Sequence, residues 1–114
     1  MADKKIKVVM VEPGKEAYVT EIGTGLHKIY EALDCDTIQA IYPFEDMVCL
    51  VCDEEGKLNG SKPNRALNNE YNIPYDVIYG SFFICDCSGE DFGSLSDELA
   101  EKYLQQFKAV EYFF

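Results

Sequence analysis

The chain has 114 residues, 47% of them apolar and 13% aromatic, which suits one folded domain with a buried core and excludes intrinsic disorder. Its formal net charge of −11 argues against direct nucleic-acid binding, because phosphate contacts need clustered Lys and Arg. No apolar run approaches the roughly 18 residues of a membrane span, so a soluble chain with no membrane association is expected.

The start, MADKKIKVVMVEPG, is basic and then briefly apolar. The apolar patch breaks at Glu12-Pro13 and no small-residue cleavage site follows, so no signal peptide is expected. Within it, KIKVVMV (5–11) is rich in β-branched residues and stops at a turn signal, which predicts a strand. Residues 17–21 read as a short extended piece. Ile22, Leu26, Ile29, Tyr30 and Leu33 keep the spacing of one helical face, with Thr24 as candidate cap.

TIQAIY (37–42) alternates and ends at Pro43, a second strand. MVCLVC (47–52) is apolar nearly throughout and reads as a central strand, joined to the previous one by a connection of hairpin length. DVIYGSFFICDC (76–87) is the longest strand candidate, with Gly80 as a bulge. Ser94, with Asp97 three residues on, resembles a capping box, and the helix it opens puts Leu95, Leu99, Tyr103, Leu104 and Phe107 on one face. The tail AVEYFF alternates and adds an edge strand or docks on a partner. The order β-α-β-β-loop-β-α predicts a single α+β domain over residues 1–114. Its mostly antiparallel sheet has about five strands, with two helices packed on one face.

The stretch CDEEGKLNGSKPNRAL (52–67) holds the chain's only Arg and opens a run from Glu55 to Glu70 with three bases and no acid, in a protein with 21 acids and 10 bases. Gly56 is expected to supply a positive φ, and Asn59-Gly60 a second turn. Ser61-Lys62-Pro63 reads as a helix start, with one or two turns over 62–68. Free amides there, together with Lys57, Asn59, Gly60, Lys62, Asn64 and Arg65, would hold a small anionic ligand, with Tyr71 or Tyr75 as an apolar wall. The bland reading is that the bases pair with neighbouring carboxylates and the glycines only make turns. The spacing matches neither common nucleotide-binding pattern.

Five cysteines, an odd number, point to reduced thiols and a cytoplasmic location. Cys49 and Cys52 on a strand face opposite ways, so a four-thiolate zinc site with Cys85 and Cys87 is not expected, nor any other metal or cofactor. The single His27 sits off the helix's apolar face, and no nucleophile–base spacing occurs. No catalytic residue is assigned, and the chain is not expected to be an enzyme.

VVMVEPGKEAYV, IQAIYPFED, DEEGKLNGSKPNRAL, DVIYGSFFICD and DFGSLSDE together resemble the family catalogued as domain of unknown function 3846, over roughly residues 7 to 105. The chain departs from it at Asp34-Cys35-Asp36, where a Gly-Gly turn is expected, and at Ser61-Lys62-Pro63, where Leu-Pro-Leu is expected. The resemblance implies small proteins carried by bacteriophages and mobile elements. With the charge, that setting leads to an expected accessory role: binding a host protein, as an acidic occupant of a nucleic-acid-binding surface.

Overall fold

The computed structural model describes residues 4–112. The chain runs β1 (Lys5–Val11), β2 (Tyr18–Gly23), α1 (Leu26–Leu33), β3 (Gln39–Ile41), β4 (Val48–Cys52), β5 (Pro63–Asn68), β6 (Pro74–Tyr79), β7 (Phe82–Asp86) and α2 (Asp97–Phe107). Five strands form one antiparallel sheet in the order β2-β1-β7-β4-β3, and β5 and β6 pair as a separate two-stranded ribbon. The α+β class and the antiparallel sheet are as expected from the sequence.

The helices are not on one face. Alternation along β1 sends Ile6, Val8 and Met10 to the side where Ile29 and Leu33 of α1 pack. It sends Val9 and Val11 to the other side, against Ala100, Tyr103 and Phe107 of α2. The ribbon joins α2 there through Leu67 and Ile78. A sheet covered on both faces explains why β4 is buried at every position and shows no polar alternation.

Several boundaries differ from expectation for local reasons. Gly80 is not a bulge in one long strand: its φ of +85° turns the chain out of the ribbon and into the main sheet, dividing 76–87 into β6 and β7. Ile22 belongs to β2 and Leu26 is exposed, so α1 is shorter than its apolar spacing suggested. Its N-cap is Gly25, without a side-chain cap, rather than Thr24. On α2 the cap is Ser96, whose hydroxyl accepts the Leu99 amide, while Ser94 Oγ accepts the Lys7 amide. Val110 to Tyr112 form no strand; instead Glu111 Oε1 accepts the Ala66 amide of β5 at 3.2 Å. The last residues of that tail lie outside the described residues.

Three ion pairs tie loops and helices to the body: Asp46 with Lys102, Asp76 with Lys57, and Asp97 with Lys7. Asp46 also accepts the Tyr103 hydroxyl at 2.8 Å. The lysine hydrogen bond holds each of the three carboxyls below the usual carboxylate range. Carboxyls with a depressed folded pKa stabilise fully above the ordinary value and lose that contribution as pH falls through the depressed one. The thermal midpoint should therefore decline below about pH 4. Asp46→Asn should flatten part of that decline, measured as Tm against pH by circular dichroism. An identical slope in the variant would remove Asp46 from the account.

Candidate functional site

The seven residues singled out from the sequence divide sharply. Residues 62–68 are not a helix but the end of a turn and strand β5, with Pro63 at the strand's first position, where a missing amide is tolerated. Asn64 and Arg65 are fully buried. Asn64 Nδ2 donates to the carbonyls of Val11 and Gly80, at 3.0 and 2.9 Å. Arg65 Nε donates to Phe107 O, the last carbonyl of α2, and Nη2 to Lys15 O at 2.7 Å. Nη1 donates to both the backbone and side-chain oxygens of Asn64. Burial lowers the Arg65 pKa and the nearby Glu111 opposes that shift. All three of its nitrogens donate inside the protein and the side chain is fully buried, so none faces an external anion.

The other five stay near the surface without converging. Lys57 pairs with Asp76 at 2.7 Å and lies over the Tyr79 ring. Asn59 donates to Asp53 Oδ2 and accepts from Ser61, and Gly60 turns with φ +82°. Lys62 is exposed at the base of the ribbon. Tyr71 is exposed at the tip, about 20 Å away for six extended residues. None of the four main cavities takes more than one of the seven.

The same turn builds something the residue pattern did not announce. Pairing of β3 with β4 brings the 34–37 loop beside Asp53, and Thr37 Oγ1 donates to Asp53 Oδ1 at 3.0 Å. Asp34 ends α1 in the left-handed conformation, φ 53°, so the loop doubles back under the helix. The outcome is a cleft of about 540 Å³ lined by Glu31, Asp34, Asp36, Asp53 and Glu55, with no Lys or Arg in its wall. His27, mostly exposed, contacts Glu31 at 3.0 Å, and Lys28 reaches Glu31 from the rim at 3.7 Å. The sequence signal for the cleft was present as two acidic clusters, 31–36 and 53–55. Their proximity depends on strand pairing.

The cysteines sit as strand geometry requires. Cys49 is buried on the α1 side of the sheet and Cys52 on the α2 side. Cys49 faces Cys85 across β4 and β7, with sulfurs 3.6 Å apart. That hydrogen bond, together with burial, raises the Cys85 thiol, and burial followed by Asp53 pushes Cys52 up to about 11. Both therefore stay protonated near neutrality. Among the described residues no group of three His, Cys, Asp or Glu side chains is arranged to hold a metal, and no helix is long and apolar enough to cross a membrane.

Nothing matches this chain among curated proteins or among solved structures. A family model does match, over residues 6–108, and its description is Domain of unknown function (DUF3846). The match spans all of the sheet but its first residue, the ribbon and both helices, and on that basis the chain belongs to the DUF3846 family.

Proposed function

We propose that this protein is a non-enzymatic accessory protein, of phage or mobile-element origin, that acts by binding a basic surface on a host protein. The acidic cleft supports this reading: five carboxylates line it, no Lys or Arg lies in its wall, and Lys28 reaches only Glu31 from the rim. With the formal net charge of −11, such a face attracts a Lys- and Arg-rich surface of the kind that holds nucleic acid, speeding encounter and disfavouring acidic partners. A small anionic ligand at the 57–65 segment has less support. Asn64 and Arg65 are buried there, and Lys57 is paired.

The test is retention of host proteins from nuclease-treated lysate on the immobilised protein. Bound partners should elute as salt rises past the range where the Debye length falls to about 3–10 Å, and duplex DNA should displace them. An Asp34→Lys, Asp36→Lys, Glu55→Lys variant should lose about tenfold or more in affinity, since every change lies on the exposed wall. Binding indifferent to salt and to this charge reversal would sink the proposal.

A further inference from the structure

Three of the five cysteines meet on the α1 face of the sheet, near one end of the β4–β7 ladder. Cys49 and Cys85 stand directly opposite in register, both fully buried, with their sulfurs 3.6 Å apart. The amide of Cys87 donates to Met47 O at 2.9 Å, which makes 47 and 87 a hydrogen-bonded pair. Cys49 and Cys85, two residues further along each strand, are a pair of the same kind. Such pairs hold their Cα atoms about 5.5 Å apart, within the span of a disulfide that leaves the backbone in place.

Cys87 is the third member. It comes two residues after Cys85, half-buried, and packs against the cluster that contains the pair. The remaining two cysteines lie elsewhere: Cys52 on the α2 face, and Cys35 in the wall of the acidic cleft.

The three thiols differ in character. The hydrogen bond from Cys85 draws the Cys49 thiol below its ordinary value although burial opposes it, and Cys87 adds a weaker hydrogen bond in the same direction. The bond to Cys49, together with burial, holds the proton on Cys85. Cys49 is therefore the sulfur with thiolate character, which with access governs oxidation. Access comes from the ladder's end. The pair is one step in from Val48 and Asp86, where β7 stops and half-buried Cys87 follows. Strand ends open locally at lower free energy than ladder centres, and hydrogen peroxide is scarcely larger than water.

We infer that Cys49 and Cys85 are a peroxide-oxidised thiol pair, which closes a reversible disulfide between β4 and β7. Cys49 Sγ attacks one peroxide oxygen, the O–O bond breaks, and the departing hydroxide takes the Cys49 proton as water. The sulfenic acid on Cys49 then condenses with the Cys85 thiol. An S–S bond forms, the S–O bond breaks, and the hydroxyl leaves with the Cys85 proton as a second water. The two thiols lose two electrons between them, and one peroxide is reduced to two waters. Cys87 remains a thiol. This chemistry is independent of any docking through the acidic cleft.

The test treats the reduced full-length protein with hydrogen peroxide near neutral pH. The remaining thiols are then alkylated in urea and mapped by tandem mass spectrometry. Two of the five thiols should escape alkylation with no oxygen added, and Cys49 and Cys85 should be joined in a bridge that dithiothreitol opens. Cys85→Ala should lower the yield of bridged protein at least about tenfold and leave a Cys49 sulfenic acid that dimedone traps. Cys87→Ala and Cys35→Ser should still form the bridge. Circular dichroism checks the folding of each variant, and the wild-type map decides even where Cys85→Ala does not fold. The inference is overturned if the folded wild-type protein keeps all five thiols. It is equally overturned if oxygen accumulates on Cys87 or Cys35 instead, or if the bridge includes either of them.

Discussion

Arg65→Ala is expected to destabilise the folded protein by about 3–5 kcal/mol, read from urea unfolding with an unchanged m-value. The side chain is fully buried, and its guanidinium joins three parts of the chain: the last carbonyl of α2, the carbonyl of Lys15 after β1, and Asn64 beside it in β5. Truncation strands those carbonyls without donors and leaves a cavity, and both effects act in the same direction. A total stability of about 5–15 kcal/mol makes the loss a large fraction of the whole. Arg65→Lys should recover little, since a single ammonium cannot span the same set of acceptors. If Arg65→Ala instead unfolded at the wild-type urea concentration, the arginine would be a surface group and the anion-site reading of this segment would revive.

Gly56→Ala should cost about 1–3 kcal/mol, as expected for forced overpacking. A Cβ at residue 56 would lie 2.5 Å from the carbonyl oxygen of Tyr79, a backbone atom that cannot rotate away. The requirement for glycine here is close approach, not the positive φ its place in the turn suggested, because Gly56 is absent from the left-handed residues. Gly60 is the contrasting control: nothing crowds its Cβ position, but its φ is +82°. Gly60→Asn should therefore be nearly neutral, as Asn tolerates that conformation, whereas Gly56→Asn should be at least as harmful as Gly56→Ala. Equal effects of Asn at the two positions would contradict the distinction. Both comparisons use thermal or urea unfolding of the purified variants.

The large effects expected at Arg65 and Gly56 show why a polar, glycine-rich segment read as a site. Lysines, asparagines, glycines and one arginine in an acid-free run are the ingredients of an anion cradle, and also of a buried junction between a turn and a strand. Composition cannot separate the two, because the difference lies in where the donors point. Arg65 finds Phe107 and Lys15 at sequence separations of 42 and 50 residues, beyond any local window. Ser61-Lys62-Pro63 predicts a helix over 62–68. The segment's pairing with β6 outweighed that weak preference, as tertiary contacts commonly do.

What the sequence determined by itself was set by short-range physics. Runs of β-branched and apolar residues predicted β1 with its ends, the buried interior strand β4 and the antiparallel connection from β3, since each depends on neighbours a few residues away. The spacing on α2 likewise identified Tyr103 and Phe107 as core residues, and the spacing at Cys49 and Cys52 placed them on opposite faces. Tertiary structure decided which face each helix covers, since an amphipathic helix is equally satisfied by either side of a sheet that is apolar on both. It also decided that two acidic clusters become one cleft and that an exposed aromatic ribbon flanks α2. Those arrangements arise from strand pairing and layer packing between distant segments, where the hydrophobic effect rewards burial without specifying the partner.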